Sequence, residues 1–241
     1  GTGYYEEFRE DEQYYDYGLS DVTIGDLTVS TTDMIRRKWM LNDFYGIVWS
    51  LRYGEGRINA SLGGGINRYS GDHFGKILWM RTSGAAESNY KWYKNNGTKS
   101  EISLYGKTEY DLTDHITIYG DLQYRFIMYL MNGLDDDLKD LGQQHEFGFF
   151  NPKAGLFWSL SPRQDAYLSF SVANREPTRS DFKEAAGDPD ATPEPERLYD
   201  TELGYKFRGD RYTAGLNLYS MIYRNQLVPT GELSDVGYPV M

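Results

Sequence analysis

Cysteine is absent from all 241 residues, which excludes a disulfide framework, a thiolate zinc site and a cysteine nucleophile together. Long apolar runs are absent too: nothing approaches the roughly 18 apolar residues of a transmembrane helix. Positive charge is scarce, with 25 Lys and Arg against 36 Asp and Glu, a net charge of −11 and a pI near 4.8. That balance repels nucleic acid and provides no polybasic stripe for anionic lipid. Histidine is limited to His73, His115 and His145, which lie in separate connections without the close spacing of a metal site. The serines lack a nucleophile elbow, so no catalytic residue, resident metal or cofactor is assigned. The chain opens at Gly1 with neither an initiator Met nor a signal peptide, which reads as a processed product or an excised piece.

What is abundant points to β-structure. Aromatics make up 16% of the chain, with 22 Tyr, beside 26 Gly. A mean hydropathy of −0.65 suits a water-soluble chain, or a β-barrel in which only alternate residues face lipid. Alternation is the recurring signal. From Ile116 the even positions read Ile116, Ile118, Gly120, Leu122, Tyr124, Phe126, Met128 and Leu130, and the odd ones Thr117, Tyr119, Asp121, Gln123 and Arg125. One face is apolar and the other largely polar. The same period runs through Ile102 to Glu109, Lys153 to Leu160, Asp165 to Val172, Tyr45 to Tyr53, Ile58 to Ile66, Tyr199 to Phe207 and Tyr212 to Ile222. This predicts about eight strands of ten or more residues, the length that a tilted strand needs to cross a bilayer.

The connections carry a second pattern. Tight links at Gly54-Glu55-Gly56, Leu112 to His115, Ser161 to Gln164 and Arg208-Gly209-Asp210 alternate with long polar links at Tyr69 to Thr98, Met131 to Phe149 and Asn174 to Arg197. Short periplasmic turns and long extracellular loops give an outer-membrane barrel this sidedness. Aromatics near strand ends, among them Tyr45, Tyr53, Tyr110, Trp158 and Tyr199, suit the headgroup level of a bilayer. The predicted fold is all-β: an antiparallel up-and-down transmembrane β-barrel wall, partial, with about eight strands of a larger barrel. Its strands should pair with their chain neighbours as an open sheet, or one whose edges pair with another copy, with no transport pore and no ladder between the Tyr45 and Tyr212 strands.

The segments "NPKAGLFWSLSPRQDAYLSFSVANREPTRSDF" and "PERLYDTELGYKFRGDRYTAGLNLYSMIYRNQLV" resemble successive hairpins of TonB-dependent receptors of the iron-complex type. "TGELSDVGYPV" resembles the loop leading to a further strand, and "GTGYYEEF" with "TDMIRRKWMLNDFYG" resembles a long extracellular loop and the strand after it. The resemblance implies that residues 1–241 are part of a receptor β-barrel domain of about 22 strands. No plug domain, TonB box or terminal aromatic residue is present. It further implies the outer membrane of a Gram-negative bacterium and contact with its lipid. The parent protein is then expected to import a ferric siderophore or similar large nutrient, with TonB acting through the plug that this stretch lacks. Alternatives are a glycan-importing receptor of the same fold, a soluble carbohydrate-binding β-sandwich and an outer-membrane enzyme.

Trp79, Tyr90, Trp92 and Tyr93 in the longest link, and Arg175 and Arg179 at the mouth of another, are the candidate ligand contacts. Aromatic rings stack on a catechol or sugar, and arginines pair with an anionic complex. The same residue types also pin long loops to one another. Arg208-Gly209-Asp210 matches an adhesion triplet but sits where Gly and Asp supply a tight turn. Asn96-Gly97-Thr98 matches a glycosylation sequon and equally a polar loop tip. Asp135-Asp136-Asp137 and "GDPDATPEPE" offer the oxygens that calcium favours, at no defined calcium-loop spacing, and read as solvated acidic loops.

With the apolar face toward lipid, Leu156→Arg or Leu216→Arg should impair folding into bilayers by about 2–4 kcal/mol at mid-depth, and Gln123→Ala by much less. Liposome folding titrations check this, and equal tolerance at both kinds of position would contradict it.

Overall fold

The computed structural model describes residues 1–185 and 192–226. They form β1 (Thr2–Gln13), a 3-10 turn (Tyr15–Tyr17), the small hairpin of β2 (Val22–Ile24) and β3 (Leu27–Val29), and β4 (Thr31–Glu55). These are followed by β5 (Ile58–Met80), β6 (Tyr90–Asp111), β7 (Ile116–Leu134), β8 (Gln143–Ser161) and β9 (Gln164–Arg175). A short helix α1 (Arg179–Glu184), β10 (Glu196–Arg208) and β11 (Thr213–Arg224) complete the order. Nine strands make one sheet, β1-β4-β5-β6-β7-β8-β9-β10-β11, with β1 and β11 at its edges. It is the expected antiparallel meander. Among the described residues no ladder joins β4 to β11 and no second large sheet packs on the first, as a β-sandwich requires.

β1 corrects the expectation that the "GTGYYEEF" segment belongs to a loop. Its own alternation is hidden by charge, and its pairing rests on complements in β4. Tyr5 lies opposite Trp39 with ring centroids 4.6 Å apart, and Glu7 lies opposite Arg37, whose Nε donates to Glu7 Oε2 at 2.5 Å. Arg36 donates to Glu10 at 2.7 Å and also pairs with Glu12, while Arg9 donates to Asp33 at 3.0 Å. Exposed pairs of this kind contribute about 0–1 kcal/mol each. The row as a whole, with the backbone ladder, fixes the register.

The strands also run longer than expected. β4, β5 and β6 have 25, 23 and 22 residues, so the predicted long link from Tyr69 to Thr98 shrinks to residues 81–89. Likewise the other long links shrink to 135–142 and 176–195. The extension of β6 escaped the alternation test because adjacent Trp92 and Tyr93 are both buried there, while β7 runs only to Leu134 beyond its alternating stretch. Ile127 and Met131 are fully buried while Met128 and Leu130 are 39% and 36% exposed.

The chain divides into two compact units. One comprises residues 1–47, 66–102 and 127–146, and the other residues 48–65, 103–126 and 147–241. The first unit carries the links 14–30, 81–89 and 135–142, and its buried centre is Tyr17, Met34, Ile77, Trp92 and Tyr93. The second carries the tight links 56–57, 112–115, 162–163 and 209–212, as well as 176–195. Gly56 supplies a left-handed turn residue with φ 57°.

In the second unit the apolar face is the bare one. Leu168, Leu203 and Leu218 lie opposite one another on three successive strands, each about half exposed. In water such a face is an aggregation surface, whereas in hydrocarbon it matches its solvent. The other face pairs glycines with tyrosines. A Cβ at Gly63, Gly155 or Gly204 would fall inside the ring of Tyr105, Tyr119 or Tyr167 respectively, so the abundance of both residue types has one cause. In the first unit the ring over Gly75 belongs to buried Trp92.

Gly75→Val should therefore destabilise the first unit by about 1–3 kcal/mol through overpacking. Gly204→Ala should cost less, because Tyr167 is only half-buried and can swing aside. Thermal unfolding compares the two. The Asp33 carboxyl is held below its ordinary range, chiefly by the Arg9 hydrogen bond and further by Arg81. Its folded value is lower than its unfolded one, so its contribution to β1–β4 pairing is present above the unfolded value, about 3.9, and is lost as pH falls through the folded one. Hydrogen exchange should show β1 opening in that acid window, and Asp33→Asn should abolish the Asp33 part of the pH dependence.

Candidate functional site

In the first unit, side chains from three strands converge beneath the links. Trp92 packs edge-on against Tyr17 and Tyr93, with centroids 5.2 and 4.9 Å away, and Met34 and Ile77 fill the same cluster. The Trp92 indole N–H donates to the Asp136 carbonyl at 3.3 Å, and the Tyr90 hydroxyl donates to the Tyr17 carbonyl at 3.3 Å. Tyr14 donates to the Thr82 carbonyl at 2.5 Å. The Trp92 and Tyr90 bonds each tie a link to a strand, and the Tyr14 bond ties two links together. Burial pushes the Tyr17 phenol well above its ordinary range, against the pull of Arg36, so this hydroxyl stays protonated.

The acidic triplet closes the link between β7 and β8. Asp135 is 4% exposed and accepts from Asn95 at 3.0 Å, Asp136 pairs with Lys38 at 2.6 Å, and Asp137 pairs with Lys139 at 3.2 Å. Their oxygens lie within 4.8 Å of one another, but each carboxylate has a protein partner. The triplet is a tied link rather than a solvated loop. The first half of the second acidic stretch, "GDPDATPEPE", falls outside the described residues, as does all of "TGELSDVGYPV".

The second unit holds a polar relay that the sequence reading did not assemble. Asn151 Nδ2 donates to Gln123 Oε1 at 3.1 Å, and Asn174 Nδ2 donates to Asn151 Oδ1 at 2.8 Å and to the Phe150 carbonyl at 3.1 Å. Arg197 Nε donates to Asn174 Oδ1 at 2.8 Å. The relay crosses β7, β8, β9 and β10 at the root of the link that carries α1. That helix starts at a capping box, in which Thr178 N donates to the Asp181 carboxylate at 2.6 Å and Asp181 N to the Thr178 hydroxyl at 3.4 Å. It is seated by Phe182, 1% exposed, with Phe147 6.3 Å away.

The six expected ligand contacts fall into different settings. Trp79 stands 43% exposed near the end of β5, with the Arg9 guanidinium 5.7 Å over its ring. Tyr90 is half-buried against the cluster, and Trp92 and Tyr93 are inside it, 4% and 6% exposed. All four lie on strands rather than in a loop. Arg175 ends β9 and pairs with Glu196 at 3.2 Å, and Arg179 opens α1 four residues later.

The remaining motifs are structural. Arg208 pairs with Asp165 and Asp210 with Arg163 at 2.8 Å, while Gly209 N donates to the Tyr212 carbonyl, so the adhesion-like triplet is a tied turn. Asn96 lies on β6, donating to Ser70 and Asp72 at 3.0 and 2.6 Å, not at a loop tip. His73, His115 and His145 stand on β5, in a short link and on β8, and burial lowers the pKa of His145. Among the described residues no nucleophile and base face each other as in an acyl-transfer site.

The family described as "TonB dependent receptor-like, beta-barrel" matches residues 1–240. A comparison with curated proteins found no sequence match. Among solved structures the chain is similar to the copper transporter OprC, at 12% identity and a TM-score of 0.63 over 79% of this chain and 31% of that one. It is also similar to the ferric citrate transporter FecA, at 15% identity and a TM-score of 0.56 over 95% and 32%. A third similarity is to the FrpB iron transporter from Neisseria meningitidis, at 17% identity and a TM-score of 0.53 over 99% and 36%. The chain spans about a third of the length of these proteins. Those likenesses support the fold alone, and the family match carries the assignment: this chain belongs to the TonB-dependent receptor-like β-barrel family, an outer-membrane family of receptors rather than enzymes.

Proposed function

We propose that the protein containing this chain imports a ferric siderophore or similar iron complex across the outer membrane, energised by TonB through a plug domain of the parent protein. The observation that carries the reading is the family match over residues 1–240. The names of the ferric citrate and iron transporters lend it chemical direction. This chain contributes wall and outer links. Residues 1–241 then form part of the barrel domain of the parent. Among the candidate contacts, Trp79 is part-exposed beside the Arg9 guanidinium, and Arg175 and Arg179 bring positive charge to the α1 link. Tyr90, Trp92 and Tyr93 belong to the buried cluster of the first unit.

The test is uptake of radiolabelled iron complexes by iron-starved cells carrying the intact receptor. Uptake should require both the receptor and TonB. Trp79→Ala with Arg175→Ala should weaken ligand binding roughly 2- to 10-fold, the value of one or two aromatic or charged contacts. Trp92→Ala should instead lower thermal stability by about 3–5 kcal/mol, as loss of a buried indole does. Unchanged iron uptake with receptor-dependent growth on a glycan would replace this reading with the glycan importer.

A further inference from the structure

The hairpin of β2 and β3 stands apart from the large sheet as a two-stranded sheet of its own. Its register sets Val22 opposite Val29, Thr23 opposite Thr28 and Ile24 opposite Leu27. Directly opposed side chains share a face and successive ones alternate, so Val22, Ile24, Leu27 and Val29 form one face and the two threonines the other. The base of the apolar face is covered. A Cβ at Gly84 would fall 2.7 Å from Val22 Cγ2, and Val22 and Val29 are half-buried. Cover stops short of the tip, where Ile24 and Leu27 are 57% and 64% exposed.

β2 also keeps an unused edge. Gly25 and Asp26 close a two-residue turn, with Gly25 at φ 62°. The residues flanking such a turn exchange both backbone bonds and the pattern then alternates, so Thr23 turns its N–H and C=O away from β3. Among the described residues no backbone bond from another segment reaches that edge. A two-stranded hairpin is marginal in water, and a third strand supplies both the missing bonds and the missing apolar contact.

The charge around this edge has one sign. Asp21 precedes β2 and Asp26 follows it in the turn, so an acid stands at each end of the strand. Links 14–30 and 81–89 carry Asp16, Asp21, Asp26 and Glu87 against one cation, Arg81, which is bonded to Asp33. Asp21, Asp26 and Glu87 are exposed and have no ion-pair partner among the described residues.

We propose that the free edge of β2 binds a cationic peptide in extended form, which adds to the hairpin as a third strand. Two aliphatic side chains of the peptide, two residues apart, continue the apolar face beside Val22 and Ile24. Lysine or arginine side chains on either side of them reach Asp21 and Asp26, and the peptide backbone bonds the outward N–H and C=O of Thr23. Acids at both ends of β2 select a peptide with a cation on each side of its aliphatic pair. Such binding does not depend on which nutrient the receptor carries.

The experiment uses the full-length protein in detergent, with its folded state verified by heat-modifiable gel mobility. Fluorescence anisotropy reads binding of a labelled pentapeptide, lysine-valine-threonine-valine-lysine. This peptide should bind. Versions with glutamate for lysine, with serine for valine, or with a methyl group on the threonine amide nitrogen should each bind roughly 3- to 10-fold more weakly. Asp21→Asn with Asp26→Asn should weaken binding to a similar degree, as should Ile24→Ser with Leu27→Ser. Glu6→Gln with Asp11→Asn removes the same charge from β1 and should leave binding unchanged. Absence of binding, equal binding of any altered peptide, an unchanged Asp21/Asp26 or Ile24/Leu27 variant, or an equal loss in the β1 variant would each overturn the proposal. The arms that vary only the peptide need no variant to fold.

Discussion

Backbone N–H and C=O groups have no water to bond with in hydrocarbon, and the rest of this structure depends on that constraint. Each strand between the edges β1 and β11 is paired on both sides, so there the ladder satisfies the backbone and leaves side chains to be sorted by the two-residue period. In the second unit the sorting is inverted relative to a water-soluble sheet. Leu122 and Leu168 are about half exposed, whereas Gln123 is held in the relay to Asn151 and Asn174. Glycine under tyrosine follows from the same demand, because the polar-side rings lie flat across neighbouring strands.

The strands that continue into the first unit meet a different requirement. There the apolar residues Ile77, Trp92, Ile127 and Met131 are covered rather than bare, with the indole and phenol groups of the cluster tying links onto strands. Charge pairs rather than apolar alternation hold β1 to β4. One ladder therefore serves two environments, and the change in what covers it explains why one strand reads as lipid-facing over part of its length and core-forming over the rest.

The sequence shows the fold wherever only one face is apolar. In Ile116 to Arg125 the alternation, the strand and the facing of each side chain are all legible, as are the tight links at Leu112 to His115 and Ser161 to Gln164. Legibility fails where adjacent residues are both buried, as at Trp92 and Tyr93, and where charge conceals a strand, in Thr2–Gln13. Those strands are defined by partners distant in sequence, such as Arg37 for Glu7 or Tyr17 for Trp92. The candidate contacts suffer from the same blindness. Residue type alone does not separate the part-exposed Trp79 from the buried Trp92, and the Gln123–Asn151–Asn174–Arg197 relay has no spacing to betray it.

The central claim is that the apolar face of this sheet lies in lipid and the polar face does not. The absence of cysteine from the chain makes single-cysteine reporters clean here. Cysteines placed one at a time from position 120 to 125 of β7 in the intact protein, in native membranes, should react alternately with a water-soluble maleimide. Positions 121, 123 and 125 should label. Positions 120, 122 and 124 should resist labelling and instead be quenched by spin-labelled lipid. Labelling without a two-residue period, or with the opposite phase, would contradict the account.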